Sequence, residues 1–453
     1  MPNTMAVAVS IFSALAIVAA HVPIIAAAGT AAAPPSLWHC VHANGSATAS
    51  CFGGGPHAIN STDATEVLQA ALSSSASSLL IDDIGRPWVV RPLFLTNASN
   101  MAIELQPGVH ILARQDFFHG KKDSLLQISR GRNLTINGNG ALLQMRRDDY
   151  AQPPRGTCPS CSNYSKAEWR TGIWLQQSDG VTLRRLNVVE SGGDGMYVVD
   201  SNNTYVVDSV FDRNYRQGMS VVAAVNLTVE RTVFSNTAGT APAAGVDLEP
   251  DCPHDHMVNI SFIDCTSTRN AGGGFQLYFG AYSHANEGTP APFSVRLKNM
   301  QITGGGRYGF GFGGEGNSSH GTVSVEDSVV QGPASSAVSI FRHSGRSFAK
   351  FTNCRFIDSC GTTRADPDSY GRSCAPIALS LSRGVTSGGN VSFSNCQVVD
   401  STKRPWLIAS PGFAGVTATG MVVKNPHGCT TENLKVPATC ELGGGAEKTS
   451  QPE

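Results

Sequence analysis

Charge is scarce in this chain. Thirty-three Lys and Arg against 34 Asp and Glu, in 453 residues, leave a formal net charge of −1. No Lys/Arg cluster stands out, so the footprint of a nucleic-acid-binding protein is missing. Aromatics are only 7% of the residues, and the body of the chain has no sustained helical periodicity, which excludes a helical bundle or a helical repeat. Length alone would suggest two or three domains. Glycine, by contrast, is plentiful at 48 residues, and it recurs in register.

The segments GDGMYVV (193–199), RQGMSVV (216–222), AAGVDLE (243–249), GGGFQLY (272–278) and RYGFGFG (307–313) each place a glycine before an apolar, alternating run. Gly195, Gly218, Gly245, Gly274 and Gly309 are thus equivalent, at steps of 23, 27, 29 and 35 residues. A second strand-like stretch precedes each, such as 181–189, 204–211, 226–234 and 258–265, with turns rich in Asn, Gly and Asp. A strand-bearing repeat of this period predicts a solenoid, here an all-β, right-handed parallel β-helix. One turn cannot bury its own apolar face, whereas stacked turns can. The long steps are insertions on individual rungs.

Residues 5–28 are apolar and small, which predicts a signal peptide over 1–33, with an uncleaved anchor as the alternative. A single β-helix domain is expected over 34–440 and a polar, disordered tail over 441–453. Ten Asn-X-Ser/Thr sequons, at Asn44, Asn60, Asn97, Asn133, Asn163, Asn202, Asn226, Asn259, Asn317 and Asn390, and twelve cysteines fit an exported, disulfide-bonded glycoprotein. The close pairs are Cys40/Cys51, Cys158/Cys161, Cys252/Cys265 and Cys429/Cys440, with Cys354, Cys360, Cys374 and Cys396 as a further group. Cys158 and Cys161 have half the spacing of a zinc site, but no second CxxC or His pair completes it. Asp63-Ala-Thr-Glu66 has capping-box spacing, with Val67, Leu68, Ala71 and Leu72 on one face. A short N-terminal helix is expected here, covering the open end of the solenoid.

Asp63…Glu66…Leu68-Gln-Ala-Ala, followed by Leu134-Thr-Ile-Asn-Gly-Asn-Gly, resembles the entry of pectin-degrading β-helix enzymes, the polygalacturonase-like and pectate-lyase-like superfamily. Glu168-Trp-Arg, Ser191-Gly-Gly-Asp-Gly, Arg216-Gln-Gly and Gly245-Val-Asp-Leu-Glu-Pro resemble secreted right-handed β-helix proteins of largely unassigned activity. The Gly-His-Gly and Arg-Ile-Lys of polygalacturonases are missing, as are the calcium and arginine motifs of pectate lyases. Asp251-Cys-Pro-His-Asp-His256 is loosely similar to the Asp-Pro-His-Glu of alginate epimerases. The resemblance implies the fold and a polysaccharide partner, not the reaction.

Alternation along a strand sends Met196, Met219, Val246, Phe275 and Phe310 inward. It sends Tyr197, Ser220, Asp247 and Gln276, and also Glu249 and Tyr278, outward. Asp247 and Glu249 would lie about 6.6 Å apart on one face, and Asp194 about 10 Å from Asp247 along the axis. Paired carboxyls at about 5–9.5 Å suit glycoside hydrolysis. Asp247 and Glu249 are therefore the candidate acid/base pair and Asp194 an alternate base. Arg216, Tyr197, Tyr278, Gln276, His254, Glu168 and Arg170 are the candidate sugar-binding residues. No metal or cofactor is assigned, and calcium at Asp247, Glu249 and Asp251 is the competing use of the acids. The leading reading is a secreted glycoside hydrolase acting as a monomer on a polysaccharide or glycan, with no nucleic-acid partner and no membrane association after signal cleavage. Polysaccharide lyase or uronate epimerase is the alternative, and a non-catalytic glycan-binding β-helix the third.

Overall fold

A computed structural model describes residues 40–442 except 152, 167, 284–289, 317, 342–343, 362–373, 382–387 and 389. The signal-peptide assignment, the sequon at Asn317 and the tail from residue 443 lie outside the described residues. The described strands form two sheets of 24 and 12 strands. Every pairing between them is parallel, as in a solenoid.

The twelve-stranded sheet carries the glycine ladder. Its strands are β1 (Leu93–Thr96), β2 (Leu126–Ser129), β3 (Ile173–Gln176), β4 (Met196–Val199), β5 (Met219–Val221), β6 (Val246–Leu248), β7 (Phe275–Tyr278), β8 (Phe310–Gly313), β9 (Val338–Phe341), β10 (Ile377–Ser380), β11 (Leu407–Ala409) and β12 (Thr431–Glu432). Met196, Met219, Val246, Phe275 and Phe310 are successive register partners, and all five are fully buried. The predicted register therefore holds, and it extends down through Ile173, Leu126 and Leu93.

The ladder glycines are required by close approach of neighbouring rungs. A Cβ on Gly195 would lie 2.6 Å from the carbonyl oxygen of Gly218, and one on Gly218 would lie 2.5 Å from that of Gly245. Gly172, one rung earlier, faces Gly195 in the same way at 2.7 Å. Gly218→Ala should therefore cost about 2–3 kcal/mol, as overpacking does. Urea unfolding of the variant checks this, and a loss below about 0.5 kcal/mol would mean that the rungs part without strain.

The corners of the longer sheet use residues that tolerate left-handed backbone. Asn100, Asn133, Asn203, Asn226 and Asn259 all have positive φ. Their carboxamides chain along the axis: Asn226 donates to Asn203 and Asn259 to Asn226, each at 2.9 Å. Stacked phenylalanines fill the interior, among them Phe211 on Phe234 and Phe351 on Phe393.

The N-terminal helix α1 spans Thr65–Leu72. Its apolar side chains Leu68 and Leu72 meet Leu93, Ile103 and Leu126 at the end of the core. The expected capping box does not form. Asp63 instead accepts from the Thr65 amide, and Glu66 pairs with Arg91. At the other end the last strand, Thr439–Glu441, reaches one residue into the segment assigned to the tail.

Four disulfides form: Cys40–Cys51, Cys158–Cys161, Cys360–Cys374 and Cys429–Cys440. The expected Cys252–Cys265 bond does not. Cys265 takes the inward corner position held by Thr232 on the rung below and Met300 on the rung above. Its thiol points at the carbonyls of Val229 and Ile263, while Cys252 lies at the surface. Cys265 is thus a core residue of its column, and the loop carrying His254 is not tied to it.

Candidate active site

The outward strip of the twelve-stranded sheet runs Trp174, Tyr197, Ser220, Asp247, Gln276 and Gly311 in direct register. It faces away from the core, yet its centre is covered: Ser220, Asp247 and Gln276 are all buried. Asp194, in the turn before β4, is also buried, at 1% exposure. The acids expected on the outward face therefore form a covered acidic cluster, with Arg216 and Glu249 at its mouth.

Arg216 holds the cluster together. Its guanidinium lies 3.6 Å from Asp194 Oδ2 and 3.4 Å from Glu249 Oε2, and its side chain is 19% exposed. Burial works against its charge, but Asp194, Asp247 and Glu249 outweigh this and hold it firmly protonated. Asp247 has no cation of its own. Gln217 Nε2 donates to one carboxyl oxygen at 2.8 Å and Gln276 Nε2 to the other at 3.1 Å. Gln217 is fixed in turn by the Ala244 amide, and Gln276 by the Tyr308 hydroxyl. Burial first, then the Glu249 charge, pushes Asp247 well above the usual carboxylate range.

Burial likewise pushes Asp194 up to about 6, against partial opposition from Arg216 and the nearby Ser220 hydroxyl. Beyond this approach to each other, Asp194 Oδ1 and Ser220 Oγ, both buried, have no hydrogen-bond partner. The folded state therefore binds more protons than the open chain between pH 3.8 and about 6. The penalty of the ionised form is absent below that window, grows through it and is complete above it. At 1.36 kcal/mol per pKa unit, it is on the order of 3 kcal/mol. Asp194→Asn lacks this term. Relative to the parent, it should gain up to about 3 kcal/mol between pH 4 and pH 7. Denaturant unfolding at both pH values tests this, and parallel curves would mean that Asp194 titrates normally.

The other candidates divide. Glu168 sits at the rim. Burial tends to raise its carboxyl, but its bonds to Lys166 and Thr240, together with the Arg216 charge, bring it below its usual value. Tyr197 stacks on Trp174 at 4.4 Å. Burial, then the charges of Asp251 and Asp194, push its hydroxyl far up, so it is a neutral donor. Tyr278 is 36% exposed, with its ring parallel to Phe341 at 6.2 Å. His254 is exposed on the loop after β6, beside Asp255, and does not join the cluster.

Arg170 does not serve the site. It is fully buried and donates to the carbonyls of Phe118, Ser165 and His119, with its guanidinium over Tyr150 and Tyr164. Its donors are spent anchoring the 147–170 insertion. That insertion seats on Gly192 and Gly193, where a Cβ would strike Tyr150 and the Glu168 carbonyl. The loop thereby packs against the turn that carries Asp194. On the other side, Tyr282 donates to the Asp255 carbonyl, so the described part of the 279–293 insertion also borders the site.

Among the described residues, the one group of three acidic, Cys or His side chains close enough to share an ion is Asp149, Cys158 and Cys161. Two of those are bonded to each other. In the carboxylate cluster, Arg216 already occupies the place a cation would take. A separate concavity of about 410 Å³ lies at a corner between Arg130, Arg132, Gln177, Asp179 and Asp200. It contains none of the cluster residues, and the convergence of shifted carboxyls makes the cluster the stronger candidate. Gln217, Tyr308 and Trp174 were not assigned from the sequence. Trp174 follows Gly172 as Tyr197 follows Gly195, so extending the ladder one rung would have found it.

Residues 159–289 match the family described as "Right handed beta helix region". No curated protein matches the chain. Among solved structures, the A-module of a mannuronan C-5 epimerase from Azotobacter vinelandii superposes with a TM-score of 0.58 at 15% identity, covering 87% of this chain and 98% of that one. A surface adhesin of Streptococcus pneumoniae gives 0.55 at 10% identity, covering 83% and 90%. A family 28 exopolygalacturonase of Yersinia enterocolitica gives 0.53 at 13% identity, covering 88% and 78%. The chain has a right-handed parallel β-helix fold. At these identities the likeness extends to the fold alone.

Proposed function

We propose that this protein is a secreted carbohydrate-active enzyme that hydrolyses a glycosidic bond in a polysaccharide. The observation that supports this reading is the contrast between two neighbouring carboxyls. Asp247 is buried, is bonded only to neutral carboxamides and is pushed well above the usual range. Glu249 is a third exposed and held by Arg216. A buried acid pushed up beside a second carboxyl paired to a guanidinium suits the division of labour that glycoside hydrolysis requires. Asp247 gives its proton to the glycosidic oxygen as that bond breaks. Glu249 takes a proton from the water that adds to the sugar, and Asp194 is the alternate base. Arg216 keeps Glu249 oriented, and Tyr197, Tyr278 and Gln276 meet the sugar. Substrate reaches Asp247 when the cover formed by Gln276 and Tyr308 opens.

Similar folds include a mannuronan epimerase and an exopolygalacturonase, which favours a polysaccharide partner. Four disulfides favour export, and no described helix is long and apolar enough to cross a membrane. The test is purified protein on a polysaccharide panel, followed by reducing-end assay, ultraviolet absorbance and proton NMR. New reducing ends without unsaturated-uronate absorbance are expected. That absorbance would instead establish a lyase, C-5 inversion in intact chains an epimerase, and glycan retention without any product a binding protein.

A further inference from the structure

We infer that the glycan taken by this site is uncharged, and that the site rejects polyuronates. The inference rests on the carbohydrate-active reading above. Besides the protonated Asp247, carboxylates converge on the site from several elements: Asp194 before β4, Glu249 just after β6, Asp251 and Asp255 in the next loop, and Glu168 from the 147–170 insertion. Two of the cations nearby, Arg216 and Lys166, are already paired. Arg216 spans Asp194 and Glu249. Lys166 pairs with Glu168. Lys122 acts on Asp251 and lies 5.7 Å from the Trp174 ring.

A polyuronate carries one negative charge on every ring and needs a cation for each carboxylate it brings close. Here it would meet Glu249 and Asp251 at the exposed rim, and like charges set side by side reject a partner. A hydroxyl meets the opposite situation. Asp194 Oδ1 and Ser220 Oγ are buried polar atoms in the same cluster with no hydrogen-bond partner beyond their approach to each other. Such atoms are unfavourable until a donor or acceptor reaches them, and a neutral sugar brings hydroxyls without adding charge. The orphaned atoms therefore select for the same ligand that the surplus of carboxylates permits.

The test is calorimetric binding of the intact protein to neutral gluco-, xylo- and galacto-oligosaccharides and to oligogalacturonate and oligoalginate. Titrations are run at about 20 mM and about 150 mM salt, where screening lengths differ more than twofold. A neutral series should bind with little salt dependence. Both uronates should bind at least about tenfold more weakly at low salt, the gap closing at high salt. Asp251→Lys should narrow the low-salt gap by about tenfold and leave neutral binding unchanged. Tighter uronate binding in the parent overturns the inference, as does an unchanged ratio in the variant or no binding of any neutral series at millimolar ligand. Neutral binding without cleavage removes the hydrolase and keeps the inference. Cleavage of a uronate chain does the reverse.

Discussion

Asp247→Asn should cut turnover on the cognate glycan by at least about a hundredfold, the usual scale for losing a general acid, with little loss of stability. Two effects oppose each other in the fold. The substitution removes a buried carboxyl crowded by Glu249 and Asp194, which is favourable. It also places an amide NH2 where Gln217 and Gln276 both donate. That conflict is relieved if the Gln276 carboxamide turns over, offering its oxygen to the introduced amide and its nitrogen to the Tyr308 oxygen. Unfolding free energy should therefore stay within about 1 kcal/mol of the parent. Glu249→Gln should lose activity on a similar scale. A variant of either residue that keeps full turnover removes that residue from the mechanism.

Arg216→Met should have the largest effect on stability. It removes the one guanidinium that balances Asp194 and Glu249 while leaving the acids in place. Stranding buried charge in this way costs about 3–5 kcal/mol. The loss should be greatest at pH 7 and shrink toward pH 4, because Asp194 takes up its proton at about 6 in the parent fold. Asp194→Asn combined with Arg216→Met should recover part of it. Guanidinium unfolding of the two variants at both pH values measures this. An Arg216→Met loss that is small and independent of pH would mean that the acids are already neutral.

The register of the solenoid was legible in the sequence because glycine is required wherever one rung's backbone approaches the next. Gly195, Gly218 and Gly245 mark those contacts directly. The strip residues followed from alternation, as Tyr197, Asp247 and Gln276 do in register. Their burial did not follow. Alternation separates core from non-core but is silent on the carboxamides of Gln217 and Gln276 that close on Asp247, so Asp247 read as a surface acid. Arg170 read as a sugar ligand because its anchoring role depends on the carbonyls of Phe118 and His119, some fifty residues away. Cys265 read as half of a disulfide because spacing in sequence carries no information about which column of the solenoid a side chain occupies.

The pairing of Ile173 with Met196, and of Met196 with Met219, repeats at an interval of 23 residues. Distance along this molecule is therefore quantised. A deletion or duplication of one whole interval leaves every pleat facing as before and slides everything beyond it by one strand spacing, about 4.8 Å. A one-residue change within a strand instead turns that strand's faces inside out. The separation between Asp194 and Asp247 is thus tunable in whole strand spacings, by gain or loss of an entire coil. Descendants of this chain, natural or engineered, would alter the span between these two buried carboxyls in discrete jumps.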